Sequence, residues 1–162
     1  MTRKVNPTGI SVTTSHEDAS PGAQAWSRRT AEAADVDDVC NLCAAALRDV
    51  DEEIDRGAFR ASFVPADWTI VEGASGVAAV MRVERKRHEI FVHDLVVAPQ
   101  QQSRGLATAA FRELIDEAVR GEVGVAIHVP GRAARAQRLL KLLGFVVVPS
   151  PVPGRSRFVW RA

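Results

Sequence analysis

The chain has 162 residues, 46% of them hydrophobic and 25% charged, with a formal net charge of +1. That length suits one globular domain with a real core, and so balanced a charge argues for a small ligand and against nucleic acid as the main partner. No stretch is long and apolar enough to cross a bilayer and the N-terminus lacks the apolar run of a secretory signal, so a soluble, cytoplasmic protein with no membrane partner is expected.

Residues 1–25 are rich in Ser, Thr, Pro and Gly without sustained periodicity, which predicts a mobile tail ahead of a single domain over 26–162. A short strand is expected near Trp26 to Thr30, then a helix with Asp35 as N-cap and Asp38 three residues on. Val36, Val39, Cys43, Leu47 and Val50 continue at helical spacing. Cys40 and Cys43 have no second Cys or His pair at ligand spacing beside them, so they read as small buried hydrophobes and no metal is expected. In "DEEIDRGAFRASF" Ile54, Ala58 and Phe63 lie on one side of a second helix, which Pro65 ends.

From Trp68 the pattern turns to strands: "DWTIVE", "VAAVMRVER" and "EIFVHDLVV", separated by "GASG" and "KRH", predict an antiparallel meander. Along the last of these, alternation puts Glu89, Phe91 and His93 on one face and His88, Ile90, Val92 and Asp94 on the other. Leu106, Ala110, Leu114 and Ala118, with Phe111 and Ile115 beside them, mark a long amphipathic helix. "EVGVAIHV" follows as a buried strand. "GRAARAQRLLKLLGF" is a helix with Ala133, Ala136, Leu139, Leu140 and Leu143 inward and Gly144 as its stop. "FVVVP" and "RFVWRA" close the chain as two strands. The order of strand, two helices, three strands, helix, strand, helix and two strands gives an α/β or α+β sheet with helices packed on it.

The loop "PQQQSRGLATAAF" joins the third meander strand to the long helix. Pro99 stops the strand, and Gly105, lacking a side chain, lets a ligand approach the backbone where the helix begins. A helix start leaves about four N–H donors without intrahelical partners and carries roughly half a positive charge, which suits a phosphate. Gln102, Ser103 and Arg104 add side-chain donors. The same residues would serve an ordinary polar cap, and the local chemistry accommodates both. Neither G-x-x-x-x-G-K-S/T nor G-x-G-x-x-G is present, which excludes the two commonest nucleotide loops.

Gln102 to Ala107, "QSRGLA", resembles the Q/R-x-x-G-x-G/A signature of the GNAT acyltransferase superfamily, placed as in that family between strand four and the third helix. "ARAQRLLKLLGF" is similar to the family's A-x-x-L-Y-x-x-x-GF segment, and "RTAEAADVDDV" to its first strand and helix. The resemblance runs from Trp26 to the C-terminus. It implies the GNAT fold, a mixed and mostly antiparallel sheet of about seven strands flanked by four helices. It also implies an N-acetyltransferase that moves an acetyl group from acetyl-CoA, or another acyl group from its CoA thioester, to a primary amine of a small molecule or peptide by direct attack. The acyl-CoA would lie in a V-shaped gap between strands four and five. Backbone groups of Leu95, Val96 and Val97 would pair with its pantetheine arm, and the Val97 N–H or a neighbour would stabilise the developing oxyanion. Gln102, Ser103, Arg104, Gly105, Leu106, Ala107 and Thr108 would wrap its pyrophosphate. A homodimer is compatible with family habit.

Attack on a thioester needs a neutral amine; an alkyl amine titrates near 10.4, about three units above neutrality, so a base is required. The arylalkylamine branch of the family carries a catalytic strand-four histidine that matches His93. The aminoglycoside 3-N-acetyltransferase branch carries Tyr-Asp-Leu-Ala-Val, matched here by His93-Asp94-Leu95-Val96-Val97. His93 is taken as the base because histidine is the residue type whose ordinary range is useful near neutral pH, with Asp94 second, as a base or an amine-orienting carboxylate. The alternative is a hydrogen-bonded sheet histidine and a structural aspartate. His128, across the expected gap, is a weaker candidate, and Glu72 is a candidate for orienting substrate from strand two.

The chain departs from the family at the tyrosine that protonates the leaving thiolate: that position is Leu140, and the chain has no Tyr. A thiol of pKa about 8.5 leaves as thiolate at a cost of roughly 2 kcal/mol at neutral pH, so water can serve as proton source. The family's Asn at the start of the last helix is Ala133. The departure at Leu140 motivates a rival reading, a non-catalytic acyl-CoA-binding or protein-interaction module. "EAADVDDV" and "DVDEEID" form an acidic rim that would attract a cationic amine or face solvent. Arg132, Arg135, Arg138 and Lys141 make the last helix basic, toward the CoA 3′-phosphate or solvent. The basic "RVERKRH" sits at a hairpin turn without an aromatic platform, against nucleic-acid binding.

Overall fold

The computed structural model describes residues 25–162, so the expected tail falls, apart from Ala25, outside the described residues. In chain order the elements are β1 (Ser27–Thr30), α1 (Val36–Arg48), α2 (Arg56–Ser62), β2 (Trp68–Gly73), β3 (Gly76–Arg85), β4 (Glu89–Val97), α3 (Leu106–Gly121), β5 (Gly124–Pro130), α4 (Ala134–Leu142), β6 (Val146–Val148) and β7 (Arg155–Trp160). The strands form one seven-stranded sheet in the order β1-β2-β3-β4-β5-β7-β6. Among the described residues only β4 and β5 run parallel; the other neighbours are antiparallel. A parallel pair needs a crossover connection, which α3 supplies between β4 and β5, whereas β2, β3 and β4 are joined by tight turns and run antiparallel. The mixed sheet and four helices expected from the sequence are present.

Each face of the sheet has its own helices. Ala110, Phe111, Leu114 and Ala118 of α3 and Leu140 of α4 pack with Met81, Val92, Val125 and Phe158. Val39 and Cys43 of α1 pack with Trp68, Ile70 and Val80, flanked by Phe59 and Phe63 of α2. Val80 and Met81 are adjacent on β3, so the two clusters lie on opposite faces. Leu140 is 1% exposed, and Cys40 and Cys43 are buried free thiols. Burial pushes the Cys43 thiol up to about 12, which leaves it inert as a nucleophile or ligand at neutral pH. Ala136, expected inward on α4, is exposed, because the helix turns only a narrow stripe containing Leu139, Leu140 and Leu143 toward the core.

One local expectation is refined and one is corrected. A short 3-10 turn, Ala33–Asp35, precedes α1 and takes Glu32 as its cap. Asp35 is the N-cap residue of α1, as expected, but its side chain makes no capping hydrogen bond to that helix. Its carboxylate turns back to accept from the Glu32 N–H at 2.7 Å and from both Arg29 terminal nitrogens at 2.7 and 2.9 Å. The Arg29 guanidinium holds this buried carboxyl down to about 2. The second helix is also shorter than its apolar spacing suggested. Asp55 caps it by accepting from the Ala58 N–H at 2.9 Å, so residues 49–55, with most of the acidic stretch, form a loop.

Candidate active site

The sheet opens at its parallel pair. β4 and β5 pair from Glu89 opposite Gly124 to Val92 opposite Ile127 and no further. Beyond that point β4 continues with β3 as far as Val97 opposite Ala79, and β5 continues with β7 as far as Pro130 opposite Arg155. The strands thus diverge from a vertex next to His93 on one arm and His128 on the other. The Ala98 N–H donates to Ala78 O at 2.8 Å, which fixes the phase of the β3–β4 ladder. Alternation then directs the backbone groups of Val96 to β3 and those of Leu95 and Val97 into the gap. Of the three residues expected to pair with an extended ligand, Leu95 and Val97 turn their backbone groups to the gap, where Val97 O accepts from Gln102 Nε2 at 3.5 Å, and Val96 does not.

A bulge creates the vertex. Val83 faces Val92 while Arg82 faces Asp94, so His93 is an extra residue on β4. Bulges of this kind bend a strand and re-aim its side chains. Simple alternation, which put His93 and Asp94 on opposite faces, is overturned here. His93 Nε2 lies 2.8 Å from Glu84 Oε2, and Arg82 Nε donates to Asp94 Oδ2 at 2.8 Å. Arg82 and Glu84 are two apart on β3 and share a face, so both candidate catalytic side chains lie on that face, the one that α1 and α2 partly cover. Arg82 also stacks over Trp68 with its guanidinium carbon 5.3 Å from the ring centroid. The His93 ring meets the edge of Phe91 at 4.7 Å between centroids, and His128 meets the same ring at 5.4 Å. His128 Nε2 is buried and lacks a hydrogen-bond partner among the described residues. Burial and then the nearby Arg157 push its pKa below the usual histidine value, which favours a neutral ring.

The loop expected to receive an anion has the backbone for it. Ser103 and Gly105 both have positive φ, 64° and 80°. An added Cβ at Gly105 would meet nothing within 4 Å, so the turn borders open space. Ala109 N–H closes the first turn of α3 on Gly105 O at 2.9 Å, and the N–H groups of Leu106, Ala107 and Thr108 ahead of it have no carbonyl one turn back in the helix. The Leu106 side chain is buried against Val71, Ala78 and Ala79, so this residue offers its backbone only. Gln102 Nε2 reaches Val97 O at 3.5 Å, tying the loop to the gap.

Arg135, in the first turn of α4, completes this arrangement. It donates to Gln102 Oε1 at 3.2 Å and to Ser103 Oγ. Among the described residues this guanidinium is held by two neutral oxygens and no carboxylate, beside the positive end of α3 and inside the first turn of α4, a setting that favours an added negative charge. The residues therefore fit a phosphate or pyrophosphate. The sequence placed Arg135 among four basic residues of one helix without distinguishing it; only the tertiary fold sets it against Gln102 and Ser103.

Other sequence candidates are placed elsewhere. Glu72 lies on β2, two strands from β4, and accepts from Arg29 Nε at 2.9 Å, which separates it from His93 and Asp94. In the acidic loop, Asp51 pairs with Arg132 and Glu52 with Arg155, both at 2.6 Å. These arginines come from the far side of the gap and neutralise much of the expected acidic rim. Glu84 was missed, because no sequence pattern marks a carboxylate nine residues before a histidine. Counting back across the "KRH" turn, which sets Glu84 opposite Phe91, would have placed it next to His93.

An α/β sheet that opens between its parallel pair, beside a helix start prepared for an anion, defines the class of domain as the acyltransferase fold that the resemblance implied. The model of the acetyltransferase (GNAT) family matches residues 36–145, and the chain belongs to that family. Among solved structures it is similar to a PaiA N-acetyltransferase from Thermoplasma acidophilum in complex with coenzyme A, with TM-score 0.69 and 8% identity over 85% of this chain and 99% of that one. Ard1 from Thermoplasma volcanium gives TM-score 0.66 and 16% identity over 85% and 97%. An N-acetyltransferase from Staphylococcus aureus Mu50 gives 0.66 and 14% over 84% and 100%. At these identities the likeness is one of fold. None of the curated proteins matches the sequence.

Proposed function

We propose that the protein transfers an acetyl group from acetyl-CoA to a primary amine of a small molecule or peptide by direct attack. The observation that carries the reading is the opening between β4 and β5 leading into the loop where Arg135, among the described residues, faces only neutral oxygens. In this reading Gln102 to Thr108 and Arg135 receive the pyrophosphate, and the gap-facing backbone groups of Leu95 and Val97 pair with the pantetheine arm. Asp94, ion-paired to Arg82, orients the incoming amine, and His93 takes its proton. The nitrogen lone pair then adds to the thioester carbon, and the N–H of Leu95 or Val97 stabilises the oxyanion. As the oxyanion collapses, the C–S bond breaks with its electron pair on sulfur, and the positively charged nitrogen of the adduct loses its extra proton to water. Leu140 is in the core and carries no proton, so the thiolate is protonated by water.

Calorimetric titration with acetyl-CoA, with free CoA as comparison, tests the cofactor half. Saturable one-site binding supports it, and no binding up to millimolar ligand refutes it. An amine panel with thiol-release detection then tests turnover. The buried Leu140 in place of the family's tyrosine favours a second reading, a non-catalytic acyl-CoA-binding module. Binding without CoA release for any amine would select it.

A further inference from the structure

We propose that Glu84 on β3 is a positioning residue that holds His93 by Nε2 and so makes Nδ1 the basic nitrogen. This rests on the acetyltransferase reading with His93 as base. An ionised carboxylate only accepts hydrogen bonds, so a ring nitrogen 2.8 Å from Glu84 Oε2 must carry the proton. In a neutral imidazole the lone pair then belongs to Nδ1. Glu84 is kept ionised by its surroundings: the hydrogen bond from His93 first, and then Lys86, lower its pKa, and Lys86 Nζ stands 3.8 Å from the same Oε2.

The bulge supplies the reason for the tether. His93 is the unpaired residue of β4, so cross-strand pairing does not align its side chain as it aligns those of Val92 and Asp94. The ring is held instead between Glu84 on one side and the edge of Phe91, 4.7 Å away between centroids, on the other. Before attack an N–H bond of the bound ammonium breaks and the proton passes to Nδ1. The imidazolium that results faces a carboxylate already in place, and the proton is afterwards lost to water.

A surface pair of this exposure, 33% for His93 and 52% for Glu84, contributes little to stability. Substitution at position 84 therefore reports on the site and not on the fold, with thermal unfolding as the control. Glu84→Ala should lower kcat about tenfold or more while leaving KM for acetyl-CoA within about twofold. In the His93→Ala background the same substitution should have no further effect, because Glu84 acts only through the ring. Nitrogen-15 spectra of the His93 ring in the ligand-free protein should show protonated Nε2 and bare Nδ1, with a mixture of tautomers in Glu84→Ala. Additive losses in the double variant, or a wild-type ring protonated at Nδ1, would overturn the proposal. If His93→Ala turns over at the wild-type rate, the base assignment itself fails and the catalytic half of this proposal with it. The spectra decide separately whether Glu84 sets the tautomer.

Discussion

Replacing Gly105 separates the anion loop from the fold that carries it. The residue sits at φ 80° and ψ 9°, a left-handed conformation that costs an L side chain roughly 1–2 kcal/mol. Space is not limiting, since an added Cβ meets nothing within 4 Å. Gly105→Ala should therefore lower stability by about 1 kcal/mol and weaken acetyl-CoA binding by less than about tenfold. Gly105→Glu carries the same backbone strain, but its carboxylate at the start of α3 returns about 0.3–1 kcal/mol to the helix. It should be at least as stable as the alanine variant. Its effect on the ligand is much larger. A carboxylate about 5 Å from a phosphate charge, at an effective dielectric of about 20, is repelled by roughly 3 kcal/mol, or a factor of about 10² in Kd. Calorimetry and thermal unfolding with and without acetyl-CoA measure both effects. At about 100 times the wild-type Kd the ligand should stabilise wild type by about 2.7 kcal/mol and Gly105→Glu by only about 0.4 kcal/mol. A folded Gly105→Glu protein that binds acetyl-CoA within threefold of wild type would refute the placement of the pyrophosphate.

Arg135→Ala should raise the acetyl-CoA Kd by about 10- to 100-fold through loss of a charge-assisted contact, with thermal stability nearly unchanged; equal affinity in calorimetry would remove Arg135 from the site. His93→Ala should reduce kcat by about 10²-fold with cofactor affinity retained, and a near-wild-type rate would transfer the base role to Asp94 or water. Leu140→Tyr should not restore a general acid: at 1% exposure the larger ring overpacks the core and lowers stability by about 1–3 kcal/mol, and a gain in kcat would contradict that. Asp35, lowered from 3.8 to about 2, stabilises the fold by about 2 kcal/mol when ionised. Asp35→Asn should lose that amount at pH 7 in urea unfolding. Because the folded pKa is the depressed one, the wild-type advantage is present above the unfolded value near 3.8 and shrinks as pH falls through about 2; a difference that does not change with pH would refute the assignment.

Much of this was legible one residue type at a time. Period-two runs from Trp68 to Val97 and the helical spacing from Leu106 to Ala118 identified the meander and α3, because the burial of one face imposes those periods directly on sequence. The loop before α3 was recognisable because a helix start exposes its donors whatever surrounds it. Leu140 was visible as a substitution, and its burial explains why it cannot act. The tertiary structure decided what depends on register and on packing between distant segments. One inserted residue at His93 reverses the alternation of β4 and brings His93 and Asp94 to the same face, and a bulge leaves no mark in the pattern of side chains that could be counted beforehand. The pairings of Arg135 with Gln102 and Ser103, of Glu84 with His93, and of Asp51 and Glu52 with Arg132 and Arg155 join residues from 9 to 103 positions apart. Sequence determined which groups were available; the sheet's register and its opening determined which of them meet, because charge and hydrogen bonding act across distances in space that the order of the chain does not encode.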